Sequence, residues 1–163
     1  MKKTDKIIYS IFVATATALL LFPSATHANS FTVIEEKTEH LHDGSYYVSR
    51  IYTEKRNYRL YSPAKRTQHG HKTVTFYSPD KTREWSLTTH GTFTYNGSSA
   101  SCTSCTATKT IYNPSWKVSI ISVKAAGNRA TSTARGKYYR KNMPVQSKIR
   151  SASLRCSANG TLY

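Results

Sequence analysis

The chain has 163 residues and a mass of 18.3 kDa, with 24 Lys and Arg against 8 Asp and Glu, a net charge of +16 and a pI near 9.9. That is room for one ordinary domain. Aromatic residues make up 12% and mean hydropathy is −0.53, polar yet sufficient for a core, which argues against wholesale disorder and against a multi-span membrane protein.

Lys2, Lys3 and Lys6 precede an apolar run from Ile7 to Phe22, which Pro23 breaks before Thr26-His27-Ala28. This is the layout of a secretory signal cleaved after Ala28. An uncleaved anchor helix is the weaker alternative, because the run holds 16 residues, diluted by Ser10, Thr15 and Thr17, where a span needs roughly 20. The expected organisation is a signal peptide over 1–28, a polar N-terminal arm or edge hairpin over 29–70, and a β-sandwich core over 71–163. The expected location is extracellular, in contact with the cell wall.

Two His-x-His pairs follow, His40-Leu-His42-Asp43 in the arm and His69-Gly-His71 at its boundary with the core. On a strand such pairs point the same way, as copper or zinc ligation needs. Gly44 and Gly70 suggest loops instead, and no further ligands can be named, so no metal site is assigned. Short runs rich in β-branched and aromatic residues predict strands at Ser45 to Thr53, Asn57 to Tyr61 and Lys72 to Tyr77, with turns at Ser62-Pro63 and Ser78-Pro79-Asp80. Glu84 or Glu54 with His90 are the residues a small basic nuclease would use as acid and base, although no spacing singles them out. No G-x-S-x-G elbow marks a nucleophile.

From Trp85 to Tyr95 the chain alternates, with Trp85, Leu87, Thr89, Gly91, Phe93 and Tyr95 on one face. Asn96-Gly97 then predicts a tight hairpin into a partner strand running through Cys102. Further strands are expected at Thr108 to Tyr112, Trp116 to Val123, Arg129 to Arg135 and Val145 to Cys156, with turns at Asn113-Pro114, Gly127-Asn128 and Asn159-Gly160. The apolar parity switches between Ile120 and Ile121, which predicts a bulge near Ile120. About eight strands with regular turns predict an all-β fold, a single antiparallel sandwich.

Cys102, Cys105 and Cys156 are an odd set. Cys102-Thr-Ser-Cys105 has the spacing of a redox or zinc knuckle, but neither a second ligand pair nor a βαβ context accompanies it, and a structural bond from this region to Cys156 is preferred. The stretch Trp85-Ser-Leu-Thr-Thr-His-Gly-Thr-Phe-Thr-Tyr95-Asn-Gly-Ser-Ser-Ala-Ser-Cys102, with Trp116, Gly127-Asn128-Arg-Ala130 and Leu154-Arg-Cys156-Ser-Ala-Asn-Gly160, resembles a family of small secreted proteins of Gram-positive bacteria whose function is unknown. The resemblance covers about residues 85–163. It implies the Cys102 to Cys156 pairing, leaves Cys105 as the spare thiol, and implies no activity.

After Glu84 there are 11 Lys and Arg and no acid. Arg135, Lys137, Tyr138, Tyr139, Arg140 and Lys141 sit together at an expected turn, and Lys148, Arg150 and Arg155 follow. These nine are the expected polyanion-binding residues, and exposed Tyr beside Arg suits ligand stacking. Tyr46, Tyr47, Tyr58, Tyr61 and Tyr163 are weaker stacking candidates. The expected function is non-catalytic binding of an anionic envelope polymer such as teichoic acid. Non-specific nucleic-acid binding, nuclease activity and toxin-like action at an anionic membrane are the alternatives, and no cofactor is implied.

Overall fold

A computed structural model of the protein describes residues 30–54 and 65–163. The expected signal segment, the strand Asn57 to Tyr61 and the turn Ser62-Pro63 lie outside the described residues. The described chain is all β: β1 Phe31–His40, β2 Tyr46–Glu54, β3 Arg66–Tyr77, β4 Arg83–Tyr95, β5 Ala100–Ile111, β6 Trp116–Ala126, β7 Arg129–Arg140 and β8 Met143–Arg155. They form a five-stranded sheet in the order β1 to β5 and a three-stranded sheet in the order β6 to β8, every pair antiparallel. The two sheets pack face to face as a sandwich.

The alternation read in β4 is the axis of the core. Trp85, Leu87 and Phe93 are fully buried, each worth roughly 1.5–3 kcal/mol of transfer free energy. Opposite them β7 offers only small inward residues, Ala130, Ser132, Ala134 and Gly136. A Cβ on Gly136 would lie 2.9 Å from the Trp85 Nε1 and 3.1 Å from the Trp116 Cε3, so the bare backbone there is what admits both indoles. The core divides in two. One cluster surrounds Trp85, Phe76 and Trp116, and the other surrounds Ile51, Phe93 and Leu154. Between them the buried Thr89 and Ser132 hydroxyls bond each other, and Thr89 Oγ1 donates to the Ala152 carbonyl at 3.0 Å, joining the sheets by a satisfied polar contact.

The turns follow their chemistry. Asn96 Oδ1 accepts from the backbone of Ser98 and Ser99, and Gly97 has a φ of 90°. Lys141 and Asn142, at φ 49° and 64°, form the two-residue turn between β7 and β8, because both central residues of this turn type need left-handed backbone. The register of β6 on β7 slips between Ile120 and Ser122, the bulge that the parity switch predicts. β1 was not read as a strand. All ten of its residues are exposed, and its mixed sequence pairs along one edge of β2.

The expected Cys102 to Cys156 disulfide is corrected by the structure, in which all three cysteines are thiols. A register slip between Thr92 and Phe93 puts two β5 residues opposite one of β4, so Cys102 and Cys105 both turn toward the cluster around Cys156. Each sulfur then faces a different carbonyl, Cys102 that of Ser104 at 3.3 Å, Cys105 that of Thr131 at 3.7 Å and Cys156 that of Ser157 at 3.4 Å. Burial pushes the Cys102 and Cys105 thiols up, against thiolate formation.

Candidate functional site

The strand period of two decides which cations meet. On β7, Arg129, Arg135 and Lys137 alternate with the small inward residues and so face outward. The register places Lys117 of β6 opposite Lys137, Lys124 opposite Thr131, and Arg155 of β8 opposite Arg129. Six cations therefore share the outer face of the three-stranded sheet. The residues between them are mostly hydroxylated, and the Thr131–Ser153 and Thr133–Ser151 side chains bond across strands at 3.0 and 2.7 Å. No acid stands on this face, and none of the six forms an ion pair among the described residues. Two like-charged pairs, Lys117–Lys137 and Arg129–Arg155, sit directly across from each other, where Cβ atoms are typically 4.5–5.5 Å apart and like charges destabilise a sheet.

Of the nine expected polyanion residues, Arg135, Lys137 and Arg155 lie on this face. Tyr139 joins them, its ring 4.6 Å from the Lys117 ammonium, and Arg140 and Lys141 lead into the adjoining turn. Tyr138 points the other way and packs on Trp116 with ring centroids 5.5 Å apart. Lys148 and Arg150 lie on the other side of the sheet. They stand opposite Gly136 and Ala134 and thus face the five-stranded sheet. Lys148 Nζ donates to Asp43 at 2.8 Å, while Arg150 binds Glu39 through both ends of its fork and lies 4.5 Å over Tyr47. These pairs hold the Asp43 carboxyl well below the usual range and lower that of Glu39. Burial pushes the Tyr47 phenol up to about 12. Lys117, Lys124 and Arg129 were missed, although their alternation with Trp116, Val118 and Ala130 marks them as outward.

The opposite outer face, on the five-stranded sheet, is built differently. His71 stands across from His90 and from Tyr52, and it stacks on Tyr52 at 4.5 Å and lies 5.4 Å from His90. Burial lowers both imidazoles, and for His71 the neighbouring His90 adds to the effect. His69 and His71 do share a strand face, but His69 Nδ1 is turned to Thr92 Oγ1 and His90 Nε2 to Thr108 Oγ1. No group of three metal-binding side chains gathers about one point among the described residues. Glu84 is buried at the far end of β4, accepting from Asn113 Nδ2 at 2.7 Å, six residues from His90 and so about 20 Å along the strand. Tyr46 lies flat on Tyr77 at 4.8 Å and Tyr47 is buried, so their faces are already covered; Tyr58 and Tyr61 lie outside the described residues, and Tyr163 is 47% exposed.

No family model, no curated protein and no solved structure matches this chain.

Proposed function

We propose that the protein is a non-catalytic binder of anionic cell-envelope polymers, teichoic acid above all, and that the outer face of β6–β7–β8 is its binding surface. The carrying observation is the pair of like-charged cross-strand contacts on a face without a single acid. Sheets avoid that arrangement unless a partner supplies the counter-charge. Same-face residues repeat at ~6.8 Å along a strand and neighbouring strands at ~4.8 Å, a grid on which an extended chain of phosphates meets several cations at once. Contacts of this kind steer and retain more than they select, and salt screens them within about 8 Å at physiological strength. The resemblance to secreted Gram-positive proteins belongs to the same proposal, since it sets the chain in a compartment where such polymers abound.

The test removes equal charge from the two sides of the same sheet. Elution from immobilised teichoic acid in a salt gradient should shift strongly to lower salt for Lys117→Gln/Lys137→Gln and little for Lys148→Gln/Arg150→Gln. Equal shifts would refute the face and leave only net charge.

A further inference from the structure

At one end of the sandwich the β1–β2 turn, the β3–β4 turn and the start of β6 converge around a cavity of about 300 Å³. This is the size class of small-ligand pockets, which run ~300–1,000 Å³. Three aromatic side chains form its walls, Phe76, Trp116 and Tyr138, with Trp116 set edge to face on Phe76 at 5.4 Å. Trp116 is 3% exposed, and its Nε1 is buried without a hydrogen-bond partner.

The polar rim is unbalanced toward acceptors. Glu84, also in the wall, gives Oε2 to Asn113, while its Oε1 has no protein partner among the described residues. Unlike Asp43, which Lys148 neutralises, Glu84 forms no ion pair among the described residues. The hydroxyls of Ser45 and Ser78 donate to Asp43, itself in the wall, and to Asp80, which uses their protons and leaves both as acceptors. Gln146, which is exposed, completes the rim.

We propose that this cavity binds a single sugar ring carrying an amino group. The half-buried Tyr138 ring suits the C–H face of such a sugar, and the sugar's many O–H donors match the surplus of acceptors. Its ammonium supplies the cation that Glu84 lacks. This site lies apart from the cationic face and stands or falls without it.

The chain's only two tryptophans are Trp85 and Trp116, so intrinsic fluorescence reports on the cavity directly. Glucosamine should produce a saturable change in emission at millimolar concentration, and glucose a change requiring several-fold more sugar. Glu84→Gln, which keeps an acceptor for Asn113, should raise the half-saturation point for glucosamine at least five-fold, with circular dichroism checking that the variant is folded. Gln146→Ala, at an exposed position, should raise it about three-fold and carries the test if the first variant fails to fold. A linear response up to 50 mM, an equal response to glucose, or unchanged half-saturation in the folded variants would overturn the proposal.

Discussion

The two faces of β7 obey opposite rules. Inward, Ala130, Ser132, Ala134 and Gly136 are as small as side chains come, because Trp85, Leu87 and Phe93 of β4 need the volume. Outward, Arg129, Arg135 and Lys137 are long and charged with no counter-ion among the described residues. On neighbouring β8 the rule reverses at two positions, where Lys148 and Arg150 point inward and are neutralised across the sheets. On β8 the cations that face the five-stranded sheet are structural, and on β7 those that face away are uncompensated.

The comparison breaks most violently on the inward side. Gly136→Val should cost about 3 kcal/mol in urea unfolding, since no buried indole can step back from a side chain at that position. A cost below 1 kcal/mol would show that the indoles do not pack on β7 as described. Arg150→Met comes next. It should lose about 1–2 kcal/mol, combining a fork of hydrogen bonds to Glu39 with a cation over the Tyr47 ring.

Acid should expose the same division. Glu36, Glu39 and Asp43 have folded pKa values below their unfolded ones, so their contribution is complete above about 4.5 and fades as the pH falls through the folded values. Glu39→Gln should therefore flatten the decline of Tm below that point. His71 and His90 add a shallower slope at higher pH. Their lowered pKa means that the unfolded chain binds more protons below about 6.5, so stability drops as pH falls from there, and His71→Asn should reduce that slope. The smallest effect belongs to the outward side. Lys137→Ser should leave unfolding free energy unchanged or raise it by a few tenths of a kcal/mol through relief of Lys117. A loss above 1 kcal/mol would make this cation structural after all.

These contrasts also explain what could be read in advance. β4 was legible because burial and period agree from Leu87 to Tyr95, and the β6 bulge was legible because Ile120 and Ile121 break parity. The inward side of β8 was hard to read, since Lys148 and Arg150 precede Ala152, Leu154 and Cys156 on it while Val145 and Ile149 lie exposed. Pattern alone favours the opposite assignment for its first half, and only the ion partners contributed by β1 and its turn reverse it. β1 itself was invisible for a related reason: an edge strand held by its ladder and by the Glu36–Arg50 and Glu39–Arg150 pairs needs no apolar face. The cavity at the sandwich end gathers residues of two turns and of five strands, which no local window contains.

The strand order has a kinetic consequence. In both sheets every ladder joins strands that follow one another along the chain, and no connection crosses over. Each meander can therefore zip up from its own turns, two of which span only two residues, at small loss of loop entropy. What remains is a bimolecular-like event within one chain, the collision of two prepared surfaces. The Thr89–Ser132 contact, 43 residues apart in sequence, forms only then. Substitutions there should slow folding, whereas changes in the Lys141–Asn142 turn, made early, should also slow it but without altering the rate at which the sheets part.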